Sequence, residues 1–153
     1  MAVHESDRPT EAPGAGSRLL EIGEHECWEL LATAPIGRLA VPAGTEAPSV
    51  FPVSFVLDGW VIVFRTGTGE KLFASVRGPV TFQADSYDHL HRIGWSVLVK
   101  GVAYEASQAE VGHLDLEPWV HTARDHWMRL VPLEVTGRRI VPGGADTDGR
   151  GYL

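Results

Sequence analysis

Val53-Ser54-Phe55-Val56-Leu57-Asp58-Gly59-Trp60-Val61-Ile62-Val63-Phe64 is the stretch that decides the fold. Two runs of β-branched and aromatic residues flank Asp58-Gly59, and Asp-Gly is favoured where both turn residues need positive φ. The stretch predicts a β-hairpin. On its N-terminal side, Ile36 to Val41 is apolar around Arg38, and Pro42, Gly44 and Thr45 supply turn chemistry before a second apolar run from Pro48 to Leu57. On its C-terminal side, Pro79 to Ala84 and the Val-rich Ile93 to Tyr104 have strand composition, joined by a polar connection from Asp85 to Arg92. Met128 to Val135 and Arg139 to Val141 resume it.

Three short helices are predicted among these strands. Glu24 to Leu31 places Cys27, Trp28, Leu30 and Leu31 on one face, Glu70 to Val76 turns Leu72, Phe73 and Val76 inward, and a third stretch runs from about Ser107 to Val120. Strands joined by a hairpin and short turns, without a helix after each strand, predict a mainly β (α+β) domain, a six-stranded antiparallel barrel rather than a doubly wound sheet.

Length and composition bound the rest. A chain of 153 residues suits one compact domain, and 44% hydrophobic with 22% charged residues is globular composition. Residues 1–17 and 142–153, rich in Pro and Gly, read as flexible tails around a domain at 18–141. Thirteen Lys and Arg against twenty Asp and Glu give −7, which argues against a nucleic-acid or anionic-membrane partner. No apolar run approaches the roughly 18 residues of a membrane span, no signal peptide is recognisable, and Cys27 is the only cysteine, so a reducing cytoplasmic location is expected.

The densest chemistry lies in Phe64-Arg65-Thr66-Gly67-Thr68-Gly69-Glu70-Lys71. A strand end meets a helix start through two glycines flanked by two cations. Backbone N–H groups at a helix N-terminus, a Thr66 hydroxyl, a bidentate Arg65 and a compact Lys71 charge together suit a phosphate; a glycine-rich turn with solvated charges is the plainer reading. Neither the P-loop nor the dinucleotide fingerprint fits, because Lys71 precedes Leu72 where the first needs Ser or Thr and the second needs glycine.

Ile36-Gly37-Arg38-Leu39-Ala40, Pro48-Ser49-Val50-Phe51-Pro52-Val53-Ser54-Phe55, the hairpin into Phe64-Arg65-Thr66 with Lys71, and Trp95-Ser96-Val97-Leu98-Val99-Lys100-Gly101 together resemble the pyridoxamine 5′-phosphate oxidase-like family. The resemblance runs from about Leu20 to Val141. It implies the FMN-binding split-barrel fold and a homodimer with the cofactor at the subunit interface. It implies that Pro52, Val53 and Ser54 lie along the flavin ring, that Arg65, Thr66 and Lys71 hold the FMN phosphate, and that Trp95 and Ser96 reach the flavin from the following strand. Apart from the resemblance, Val53, Trp95 and Val97 read as ordinary barrel core.

The sequence also departs from the family's founding enzyme: Ser96 stands where that enzyme has glutamine, Glu70-Lys71 replaces its cationic pair, and its C-terminal substrate signature is not recognisable around Val135 to Arg139. The resemblance therefore implies an FMN-dependent oxidoreductase acting on a small redox substrate, with hydride transfer through flavin N5 and no assigned catalytic residue. Its alternative is a carrier of flavin, F420 or haem that binds without turnover.

Other constellations carry less. His89, His91, His121 and His126 have no metal-ligand spacing, so no metal is expected. Gly94-Trp95-Ser96-Val97 lacks the second glycine of a nucleophile elbow, where Leu98 stands. Trp127, Arg129, Arg138 and Arg139 suit either a pocket mouth or outward strand charge.

Overall fold

The structure is a computed structural model and describes residues 16–66, 77–117 and 126–143. Its elements in chain order are β1 (Arg18–Ile22), α1 (Glu24–Leu31), β2 (Ile36–Ala43), β3 (Glu46–Asp58), β4 (Val61–Thr66), β5 (Gly78–Asp88), β6 (Ile93–Glu105), α2 (Gln108–Val111) and β7 (His126–Val141). The tails expected over 1–17 and 142–153 fall mostly outside the described residues, as does the helix expected over Glu70 to Val76.

All pairings are antiparallel, and the order β7-β4-β3-β2-β5-β6 returns to β7. Six strands thus close a ring, which removes the exposed edges of an open sheet. A seventh strand, β1, pairs with β7 from Arg18↔Val141 to Ile22↔Gly137. On that same edge β4 pairs with residues 126–130 of β7, so 131–136 lie between its two neighbours, and the barrel is split there.

The split coincides with a bulge. Lys100 pairs with Glu134 but Gly101 with Pro132, so Leu133 is the extra residue, 78% exposed. Proline in a strand is tolerated at such a place because it has no N–H to give to a ladder. The sequence pattern breaks β7 at Thr136 to Arg138; the strand instead continues through them, because β6 and β1 pair with both sides of Gly137.

Inside the ring, Leu39, Phe55, Phe64, Phe82, Val97 and Met128 are buried with their alternate neighbours, as period-two side chains of a closed sheet must be. Phe55 and Phe82 meet edge to face at 4.8 Å and 69°. Gly37 is a requirement of this packing, since a Cβ there would overlap the Phe82 ring. Helix α1 buries Cys27, Trp28 and Leu31 into the same core, with the Cys27 sulfur seated against Gly137, and Arg139 pairs with Glu26 to tie helix to strand. Burial raises the Cys27 thiol pKa, and Glu26 and Glu24 add to the shift.

The hairpin forms one residue later than Asp-Gly chemistry predicts. Asp58 pairs with Val61, so the turn residues are Gly59 and Trp60, and only Gly59 has positive φ, at 58°. Glycine at the first turn position is the preference of a type II′ hairpin. Asp58 is thereby kept in the strand, where Arg129 donates to it at 2.6 Å. The third predicted helix is shorter than expected: Ser107 and Glu110 form a capping box at its start, and α2 ends at Val111, before Gly112.

Candidate functional site on the outer barrel face

The side chains that alternate with the core form the barrel's outer face. Pro52, Arg38, Gln83, Leu98 and Thr136 stand opposite one another in one row across β3, β2, β5, β6 and β7. A second pairing sets Asp85 opposite Ser96 and Ser96 opposite Arg138. Because period-two strands carry these rows outward, they converge on a cavity of about 520 Å³ lined by Arg38, Ala40, Val50, Thr81, Gln83, Ser96, Leu98, Thr136, Gly137 and Arg138.

The polar atoms of this cavity are organised by Gln83. Its Nε2 donates to the Asp85 carboxylate at 2.7 Å and to Ser96 Oγ at 3.2 Å, which leaves the amide oxygen to accept from a ligand. Arg38 donates to Asp85 at 3.4 Å. Ala40, Val50 and Leu98 supply apolar wall, and Arg138 a second cation. Apolar walls with a few fixed polar groups are what a flat ring with one polar edge requires, and the volume lies within the roughly 300–1,000 Å³ of small-molecule sites.

The sequence-predicted residues divide around this cavity. Ser96 lines it, and Pro52 is exposed on the same face, opposite Arg38. Trp95, the neighbour of Ser96, faces the other way and packs against the barrel core, as does the buried Val53. Ser54 shares the outward side of β3 with Pro52 but is 9% exposed. Lys71, with Gly67 and Gly69, lies outside the described residues.

Arg65 and Thr66 end β4 away from the cavity lining. Thr66 is buried, opposite His126. The Arg65 guanidinium carbon lies 5.0 Å from the Trp127 ring centroid and its Nη1 donates to the Leu116 carbonyl at 3.2 Å, so the segment after α2 lies over this end of β4. Of the four late residues singled out in the sequence, Trp127 thus braces Arg65, Arg129 holds Asp58, Arg139 holds Glu26, and Arg138 alone lines the cavity. Arg129 keeps the Asp58 carboxyl below the ordinary aspartate range, and His113, 3.4 Å away, acts in the same direction.

His91 and His126 contact carboxylates, Asp88 at 2.6 Å and Glu105 at 3.0 Å, and His121 lies outside the described residues. Gln83, Asp85, Thr81 and Thr136 have no motif in the sequence. A lone glutamine on a strand is indistinguishable there from ordinary outward polarity, and only the register shows that it sits between Arg38 and Leu98.

A six-stranded split barrel with a ligand-sized cavity on its outer face defines a class of small ligand-binding barrels. The sequence matches the family model described as pyridoxamine 5′-phosphate oxidase over residues 23–139, and the chain belongs to that family. It is 36% identical to an uncharacterized protein of Mycobacterium tuberculosis over 140 residues, 85% of this chain and 91% of that one. Among solved structures it is similar to an FAD binding protein from Mycobacterium smegmatis, with 36% identity, a TM-score of 0.70, and coverage of 78% of this chain and 97% of that one. A conserved protein of unknown function from Corynebacterium diphtheriae is also similar, with 34% identity, a TM-score of 0.67, and coverage of 80% and 98%. No helix among the described residues is long and apolar enough to cross a membrane.

Proposed function

We propose that this protein binds a flavin on the outer face of its barrel and acts as an FMN-dependent oxidoreductase on a small acceptor. The observation that carries this reading is the cavity between β3 and β7, whose apolar walls and Gln83–Ser96 polar centre suit a tricyclic ring with one hydrogen-bonding edge. Pro52 and Ser54 present the outward side of β3 to the ring, while Val53 and Trp95 fix their strands from the core side. The phosphate falls to Arg65, braced by Trp127, and Lys71, with the buried Thr66 behind them at the end of β4. A bound flavin supplies hydride transfer through its N5. The chain's own residues bind and orient it and limit water access.

The site is completed by a second copy of the chain. Val50 and Leu133, 62% and 78% exposed, leave apolar surface on the outer face that a homodimer would cover. The FAD-binding relative from Mycobacterium smegmatis favours FAD as the second flavin to test. Ser96→Trp places an indole in the middle of the cavity and is expected to abolish FMN binding, measured by quenching of flavin fluorescence. Unchanged affinity would remove the flavin from this face.

A further inference from the structure

One row beyond Asp85, Ser96 and Arg138 the outer face turns apolar. Tyr87 pairs with Gly94, Gly94 with Ile140 and Ile140 with Leu19, so by period two these residues share the outward side with the cavity rows. A Cβ on Gly94 would overlap the Tyr87 ring, so that ring lies across bare backbone of β6, where it is held in place yet 55% exposed. With Ile140 and the exposed Leu19 it makes a shelf beside the cavity, none of whose lining residues it shares. Arg138 is diagonal to Gly94, a separation of about 7–8 Å that a long side chain spans. The two cavity guanidiniums differ. Arg38 is paired with Asp85 at 3.4 Å, whereas Arg138 has no ion pair among the described residues, although Glu21 stands opposite it on β1. Ser96, opposite Arg138 on β6, accepts from Gln83 and keeps its own hydroxyl proton to donate.

We propose that this shelf and Arg138 hold an aromatic carboxylate, and that the small acceptor of the flavin reading, on which this inference rests, belongs to that class. The ligand's ring packs on Tyr87 and Ile140, an arrangement aromatic pairs favour beyond the area they bury. Its carboxylate takes the Arg138 guanidinium, whose planar fork matches a carboxylate bidentately, with the Ser96 hydroxyl as a further donor. Charge selects a monoanion. A dianionic phosphate would bring two charges to one unpaired guanidinium that Glu21 already faces, and Arg38 is engaged by Asp85. An aliphatic carboxylate would forgo the ring contact.

The test uses the full-length, isotope-labelled protein loaded with FMN, whose occupancy is read separately by flavin fluorescence. It is titrated in parallel with 4-nitrobenzoate, the neutral 4-nitrobenzamide and the non-aromatic cyclohexanecarboxylate, while the backbone amide resonances of Tyr87, Gly94, Ser96 and Arg138 are followed by NMR. Saturable shifts at these amides with 4-nitrobenzoate are expected, with at least about fivefold weaker binding of the amide and about two- to fivefold weaker binding of the non-aromatic acid. Arg138→Gln should weaken 4-nitrobenzoate by about five- to tenfold and abolish its advantage over the amide, and Tyr87→Leu should weaken it by about two- to fivefold; a dispersed amide spectrum shows that each variant is folded. Equal affinity for 4-nitrobenzoate and 4-nitrobenzamide, or no saturable shift, with FMN bound would overturn this proposal and leave the flavin reading standing. Displacement of FMN by 4-nitrobenzoate would also overturn it, because the two would then occupy one place. Absence of FMN binding at the outset would refute the flavin reading and overturn the acceptor role with it.

Discussion

Replacing Gly37 with alanine should destabilise the protein only while Phe82 is present. The new Cβ would overlap the Phe82 ring, which is fully buried and held edge to face by Phe55 at 4.8 Å. Neither partner can retreat into solvent, so the substitution overpacks the core and should cost about 1–3 kcal/mol. Phe82→Ala alone removes the ring and leaves a void, at a cost of about 3–5 kcal/mol. In the double variant the Gly37→Ala methyl enters the space the ring has left. Its overlap disappears, and the pair should be about 1–3 kcal/mol more stable than the sum of the two losses, which could reach about 8 kcal/mol. That sum is comparable to the whole stability of a domain, roughly 5–15 kcal/mol, so the milder Phe82→Leu, which also removes the overlapping ring atoms, keeps the cycle measurable. Urea unfolding midpoints with unchanged slopes are the assay. Additive losses within about 0.5 kcal/mol would refute the contact and with it the packing of β2 against β5 in the barrel interior.

Three further outcomes are expected, the first from the proposed phosphate site and the other two from the structure. Lys71→Glu should weaken FMN by about 10- to 100-fold, because truncating a charge-assisted contact removes about 1.5–3 kcal/mol; unchanged affinity in flavin fluorescence would take the phosphate away from the Gly67–Lys71 turn. The Asp58 carboxyl, lowered by Arg129, contributes stability that is fully present above the ordinary aspartate pKa near 3.9 and is lost as pH falls through its depressed folded value, so melting temperature should drop in that acid window. Asp58→Asn should flatten that part of the pH profile, and an unaltered profile would contradict the pairing. Cys27, buried with a raised pKa, should react with a thiol reagent only after denaturant is added; rapid labelling of the native protein would contradict the seating of α1 on β7.

How much of this was legible in the sequence depended on whether the signal was local. Helix α1 coincides with the span read from Glu24 to Leu31, because its buried Cys27, Trp28 and Leu31 recur at helical spacing. The hairpin was legible, but its register was not: the Asp58–Arg129 ion pair that holds Asp58 in β3 joins residues 71 apart. Strand β1 escaped notice because it has only five residues, four of them exposed, and so shows no alternation of buried and exposed side chains. Closure of the ring was read only as a class, since the pairing of β7 with both β4 and β6 depends on contacts between distant segments.

The site was legible in outline and less so in detail. The strand motifs single out Pro52, Val53, Trp95 and Ser96 together, but adjacent residues of a strand face opposite sides, so Pro52 and Ser96 face outward while Val53 and Trp95 turn toward the core. Gln83 became visible only when its two neighbouring strands, β2 and β6, set Arg38, Leu98 and Ser96 beside it.

The central claim, a flavin on the outer face, is tested most directly by visible absorbance of the purified protein titrated in parallel with FMN, FAD, F420 and haem. Saturable binding of FMN with a perturbed flavin band, lost in Ser96→Trp, is the predicted result. Saturation by F420 or haem alone, or flavin binding that Ser96→Trp leaves intact, would contradict it.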